Sequence, residues 1–248
     1  MISKTAPNII EVKHFKMVFA SNTVIKDLSF DVKQGETFGL LGSNGCGKTT
    51  TIRALLGLYE PTGGKLLING KKFTPGDKIR IGYLPEERGL YKKESVIDTM
   101  IYFGRLKGLK NPKEWSMNYL KRVNLEDHAK TKISKLSQGM QQKVQLGITI
   151  MNDPELLILD EPTKGFDPVN RKLLMEIIEE CHQRGSTIIL ITHYMDEVQK
   201  LCDHILLLKD GVAKAYGSVT DVRKKYRFKS LDEIFVEIYG EKEEADNE

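Results

Sequence analysis

A chain of 248 residues is long enough to bury a sizeable core, and one domain with a subdomain is the natural expectation. Its 38 basic and 34 acidic residues leave a net charge of +4, too small and too evenly spread an excess to argue for nucleic acid as a partner. No apolar run approaches the ~18 residues of a bilayer span, and the opening MISKTAPN lacks the apolar core of a secretion signal.

The first third of the chain reads mostly as strand. IIEVKHF, then VIKDLSFDV alternating toward a turn at Gly35, then KLLING closing on Asn69–Gly70, predict an antiparallel sheet. Within that stretch a short apolar strand, Thr37–Leu41, is followed by GSNGCGKT at 42–49 and by the helix-compatible run TTIRALLGL. The octapeptide is a GxxxxGK[ST] phosphate loop. Gly42, Gly45 and Gly47 let the backbone approach phosphates closely and turn its N–H groups toward them. Lys48 brings a point charge to the β and γ phosphates, and the Thr49 hydroxyl is suited to Mg²⁺. Strand before and helix after place the phosphates at a helix N-terminus, which makes Ser43, Asn44, Cys46 and Thr50 further nucleotide-contacting candidates. The three cysteines, Cys46, Cys181 and Cys202, fit no metal-binding spacing and read as free thiols of a reducing cytoplasm. Cys46, close to Lys48 and a helix start, is expected to lean toward the thiolate, although a merely tolerated small side chain is the better account of its presence, with reactivity a by-product.

A short strand is expected over 80–85, broken by Pro85, and from about Ser95 to Met151 the pattern is helical. The helical stretch contains SVIDTMIYFGRLKG, a segment around Trp115 and GMQQKVQLGITIM. Its Met, Tyr and Phe side chains at 100–106 read as core or as partner-facing surface. Next, LLILDEP has the form of a buried parallel strand, Leu156 to Leu159, that delivers Asp160 at its C-terminal end, where a carboxylate can hold Mg²⁺ directly or through water. Taken with the phosphate loop, this run points to binding and hydrolysis of a nucleoside triphosphate. The helix VNRKLLMEIIEECHQR, stopped by Gly185, leads to the strand STIILIT, the helix MDEVQKLC and a hairpin across Asp210–Gly211. Strands alternating with helices imply a parallel sheet covered by helices. The expected fold is therefore α/β: a P-loop NTPase core with a RecA-like parallel sheet, an N-terminal antiparallel β subdomain, and an α-helical subdomain inserted at about 88–152. This domain is expected to span 1–240, with the charged tail 241–248 disordered. His14, His128, His182 and His204 carry no partner pattern.

From Leu136 the chain reads LSQGMQQKVQLGI. This resembles the LSGGQ signature of ABC-type ATPases, with Gln138 and Met140 as departures. Ser137 and Gly139, expected just ahead of a helix, would offer a hydroxyl, backbone N–H groups and a helix dipole to an anion. The resemblance implies that this anion is the γ-phosphate of ATP held by a second ATPase subunit, in a head-to-tail dimer of identical or paralogous chains. It extends over about residues 9–240. Glu161 corresponds to the base that activates water, and Asp167 in KGFDP to the loop that crosses the dimer interface. His193, after STIILIT, matches the histidine that contacts the γ-phosphate. Phe19 matches the aromatic that stacks on adenine, and would also serve as an ordinary strand aromatic. In YLPEERGLY the usual glutamine is replaced by Glu86, as in ATPase subunits of bacterial sodium-export or drug-export systems. Glu86 either joins Thr49 and Asp160 near Mg²⁺ or points outward and shapes its loop. The resemblance further implies ATP and Mg²⁺ as cofactors and a transmembrane permease subunit on a separate chain. That partner would be met at about Glu86–Gly108, on the cytoplasmic face of the membrane. Two rivals are an ABC-type ATPase of DNA repair or translation and a sensor that binds ATP without hydrolysing it. The first lacks its usual insertion, zinc cysteines or tandem cassette here, and intact Glu161 and His193 disfavour the second. No NKxD string supports guanine recognition.

Overall fold

The computed structural model describes residues 6–87 and 89–240. The tail 241–248, expected to be disordered, lies outside the described residues. In chain order the strands are β1 (Asn8–Phe19), β2 (Asn22–Lys33), β3 (Thr37–Leu41), β4 (Gly63–Ile68), β5 (Ile81–Leu84), β6 (Leu156–Asp160), β7 (Thr187–Ile191), β8 (His204–Lys209) and β9 (Val212–Ser218). The α-helices are α1 (Lys48–Leu55), α2 (Val96–Leu106), α3 (Pro112–Arg122), α4 (Gln138–Ile150), α5 (Pro168–Gln183), α6 (Met195–Leu201), α7 (Val219–Lys225) and α8 (Leu231–Tyr239). They fall into two compact units, one formed by Met1–Pro75 with Thr187–Glu248 and the other by Gly76–Ser186.

In the first unit the strands run in the order β4-β1-β2-β9-β8-β3-β7. The β4, β1 and β2 strands are antiparallel, with Val12 opposite both Phe30 and Leu66. Alternation explains their long pairing: Ile10, Val12, Phe15 and Met17 of β1, and Ile25, Leu28, Phe30 and Val32 of β2, are buried. By contrast β3 and β7 are buried at every position and pair in parallel with each other, and β3 pairs in parallel with β8. Uninterrupted apolar runs of this kind suit a sheet covered on both faces. The β8–β9 hairpin turns at Asp210–Gly211, both left-handed, with φ of 51° and 74°.

Helices α7 and α8 lie beyond the expected elements. Ser218 and Ser230 cap them, and Ser230 with Glu233 forms a full capping box. Val222, Leu231, Ile234 and Ile238 bury their side chains with Leu41, Val198 and Leu207 in one apolar cluster. The two helices are 7 and 9 residues long, too short to hold without such packing.

The second unit starts before the expected helical insertion, because β5 belongs to it, and ends after it with β6 and α5. The β5 and β6 strands are parallel, Ile81 opposite Leu156 and Leu84 opposite Leu159. The Trp115 segment is α3. Its indole stacks on Tyr119 at 5.3 Å, and the buried Tyr119 hydroxyl donates to the Lys143 carbonyl of α4 at 2.7 Å. In α2 both expectations for the large side chains at 100–106 meet: Met100 is fully buried, whereas Tyr102 is 49% exposed.

Candidate functional site

The first unit carries the phosphate loop between β3 and α1. Gly45 and Gly47 have φ of 77° and 110°, where a side chain would be strained. A Cβ at Gly47 would also meet Ile25 Cδ1 at 2.4 Å, and one at Gly42 would meet Cys46 Sγ at 2.4 Å and the Leu208 carbonyl oxygen at 2.5 Å. Glycine is therefore demanded at Gly42 and Gly47 by what lies behind the loop. Lys48 is the first residue of α1 and donates to the Gly42 and Ser43 carbonyls at 2.8 and 2.9 Å. Helix α1 starts without a side-chain cap, so its first N–H groups suit an external acceptor. Ser43, Asn44 and Gly45 are exposed, and Lys48, Thr49 and Thr50 are half-buried. A polar cavity of about 540 Å³, lined in part by Asn22, Lys26, Ser43, Asn44 and Asp210, flanks the loop. That volume lies in the roughly 300–1,000 Å³ range of small-molecule sites.

The same unit holds Phe19 and His193. Phe19 closes β1 with its ring 41% exposed and packs edge-on against Tyr59 at 5.2 Å. Tyr59 in turn accepts from the Arg53 guanidinium at 3.1 Å. His193 is exposed in the turn between β7 and α6, its ring 4.2 Å from that of Tyr194. The turn is held from within: Thr192 donates to the buried Glu197 carboxylate at 3.1 Å and accepts from the Tyr194 N–H at 3.1 Å.

The remaining candidates belong to the second unit. Asp160 ends β6, 3% exposed, and Glu161 follows in the left-handed region with φ of 51°. A non-glycine residue held there marks a backbone over-determined by its surroundings. The surroundings are identifiable: Gln142 of α4 donates one amide to the carbonyls of Glu161 and Pro162, at 3.0 and 2.8 Å. Ser137 is the N-cap of α4, its hydroxyl accepting from the Met140 N–H at 3.2 Å. Gly139 lies inside the first helical turn rather than ahead of it, and a Cβ there would stand 3.1 Å from the Phe166 ring. Asp167 has a local task as the N-cap of α5, accepting from Val169 and Asn170 N–H groups at 3.0 Å. Its carboxyl lies below the ordinary range, chiefly through the Asn170 backbone N–H and then the Asn170 amide.

One expectation changes. Cys46 is buried, and burial pushes its thiol up; the ammonium of Lys48, 4.0 Å from the sulfur, opposes this without offsetting it. The thiolate is not favoured. Glu86, for which a metal position and an outward position were both open, accepts from Lys164 Nζ at 2.6 Å, each side chain about half-exposed. Tyr59, Gln142, Lys164 and Phe166 went unnoticed in the sequence, because each acts through a tertiary contact that no local pattern encodes. His204, read as ordinary, pairs with the buried Glu36 at 2.9 Å.

A sequence profile of the family described as ABC transporter matches residues 25–164. An ABC transporter ATP-binding protein of Methanocaldococcus jannaschii is 43% identical over 221 residues, covering 88% of this chain and 81% of that one. The chain belongs to the ABC transporter ATP-binding family. The linearmycin resistance ATP-binding protein of Bacillus subtilis is 36% identical, over 86% of this chain and 70% of the relative. A solved structure described as the ATP-binding subunit of an ABC transporter superposes with a TM-score of 0.85 at 32% identity, covering 93% and 99% of the two chains. Membership of this family implies ATP binding, and the glycine contacts, the Lys48 bonds and the uncapped α1 make the loop at 42–49 chemically suited to phosphate. No helix among the described residues is long and apolar enough to cross a membrane.

Proposed function

We propose that the chain hydrolyses ATP to drive export through a transmembrane subunit on a separate chain, working as a head-to-tail dimer on the cytoplasmic face of the membrane. The observation that carries the hydrolytic reading is Glu161, a carboxylate held in a left-handed turn directly after the buried Asp160. Export is supported by relatives whose names state it, among them a Nod factor export ATP-binding protein of Cupriavidus metallidurans, 36% identical over 84% of this chain. In this reading Lys48 and the N–H groups of α1 neutralise and orient the phosphates. Glu161 takes the proton of the attacking water, and His193 donates to the γ-phosphate as charge builds. Thr49 and Asp160 would hold Mg²⁺ through their side-chain oxygens, a donor set suited to this hard cation. When bound, ATP supplies the phosphoryl bond and Mg²⁺ the charge that eases its cleavage. Phe19, backed by Tyr59, stacks on adenine. Ser137 and Gly139 serve the nucleotide of the second subunit, and the segment from Glu86 to about Gly108 meets the permease.

Phosphate release by the purified chain with ATP and Mg²⁺ tests this directly, and absence of turnover at any protein concentration would leave a binding subunit only. The dimer has its own test. Ser137→Arg should leave ATP affinity of the monomer intact while blocking closure. Mixing Ser137→Arg chains with Lys48→Ala chains should then restore at most one working site per dimer. A Ser137→Arg monomer that loses ATP as completely as Lys48→Ala would rule out action across the interface.

The Glu86–Lys164 pair sets the size of another effect. A carboxylate near Mg²⁺ and triphosphate favours the metal complex and repels metal-free ATP. Lys164 already offsets part of that charge, and an exposed pair contributes no more than about 1 kcal/mol. Glu86→Gln should therefore move the Mg²⁺ midpoint of hydrolysis upward by less than about tenfold. Lys164→Ala, which bares the carboxylate, should weaken metal-free ATP binding. Superimposable Mg²⁺ titrations of wild type and Glu86→Gln would place Glu86 outside the metal site.

A further inference from the structure

We propose that Tyr239, on the last helix of the described chain, is a positioning residue for the phosphate loop, so that α8 sets the geometry with which the loop takes ATP. The inference rests on residues 42–49 being the ATP site. Tyr239 lies in α8, far in sequence from the loop, yet its hydroxyl donates to the Leu208 carbonyl at 2.8 Å. That carbonyl is also the group that faces Gly42. A Cβ built on Gly42 would find three neighbours: Cys46 Sγ, the Leu208 oxygen and, at 3.3 Å, the Tyr239 hydroxyl. Gly42 has no side chain to anchor it, so this trio, the nearest atoms on that side, limits where its backbone can move. The consequence reaches the chemistry in one step, because the Gly42 carbonyl accepts from Lys48 Nζ. A peptide that shifts at Gly42 carries the ammonium with it.

The helix is well placed to bear on the loop. Its inner face is bound into the apolar cluster by Leu231, Ile234 and Ile238. Its C-terminal end is fastened by Lys209, which donates to the Ile238 carbonyl and lies 6.0 Å from the centre of the Tyr239 ring. Phe235 packs on the same ring at 4.2 Å. The phenol is thereby held in one orientation, and its hydroxyl, rather than the ring alone, reaches the base of the loop.

The test uses Tyr239→Phe, which removes the hydroxyl and keeps the ring, alongside Tyr239→Ala. ATP affinity without Mg²⁺, kcat at saturating ATP, thermal midpoint and alkylation of each cysteine by N-ethylmaleimide would be read on the full chain. One hydrogen bond is worth about a threefold to tenfold change in an equilibrium constant. Tyr239→Phe should weaken ATP binding by roughly that factor, leave kcat within about twofold, and raise Cys46 labelling in nucleotide-free protein while Cys181 and Cys202 stay unchanged. Tyr239→Ala should exaggerate both effects. Unchanged ATP affinity and Cys46 labelling in Tyr239→Phe would overturn the proposal, as would a uniform rise at all three cysteines with a fall in thermal midpoint, which marks general loosening. Failure of the wild-type chain to bind ATP would instead remove the phosphate-loop reading itself, so the two failures are distinguishable.

Discussion

Glu161→Gln is expected to hold ATP and to turn it over about 10²–10⁴ times more slowly than the wild-type chain, the usual worth of a general base. Glutamine is isosteric with glutamate, and the contacts that shape this turn are made to main-chain carbonyls. Gln142 bonds the oxygens of residues 161 and 162, which the substitution leaves in place. The fold should therefore survive while the only lost property is the capacity to accept a proton. With hydrolysis slowed, ATP-closed dimers should accumulate and elute early in size-exclusion chromatography in Mg-free ATP. A variant that releases phosphate at the wild-type rate would show that Glu161 is not the base.

Lys48→Ala should abolish ATP binding at micromolar nucleotide. A charge-assisted contact contributes about 1.5–3 kcal/mol, or roughly tenfold to more than a hundredfold in affinity. Here the loss compounds, because the same ammonium ties the Gly42 and Ser43 carbonyls together across the loop. Removing it subtracts the charge and also frees the backbone that should present its N–H groups. Isothermal titration at constant protein stability checks this, and binding retained within about threefold would exclude the assigned role.

The strands of the first unit were legible because alternation and apolar runs are local properties of the chain. The segments expected at Thr37–Leu41 and, in the second unit, around LLILD appear as β3 and β6 with the expected residues, since a strand buried along its length needs a mostly apolar run. Helices α7 and α8 were missed for a physical reason. Helix α7 is too short to display helical periodicity, α8 spaces Leu231, Ile234 and Ile238 helically over little more than two turns, and both gain stability from the cluster with Leu41, Val198 and Leu207. Ser218 with Asp221 and the Ser230-to-Glu233 capping box are the local start signals there. Cys46 was misjudged because proximity to Lys48 can be read from spacing, whereas burial cannot; desolvation then outweighs the charge.

By itself the sequence determined the phosphate loop, the strand that delivers Asp160 and Glu161, and the membership of the ABC transporter ATP-binding family. Those are features of contiguous residues, set by glycine spacing and by the order of apolar and acidic side chains. Tertiary structure alone decided what surrounds them. It paired Glu86 with Lys164 across 78 residues of chain and clamped the turn at Glu161 with Gln142. It laid Phe166 against Gly139, and brought Tyr239 to the Leu208 carbonyl behind Gly42. Contacts of this kind depend on which faces of distant elements are pressed together, and a side chain chosen for such a contact leaves no period, spacing or motif in its own neighbourhood by which to read it.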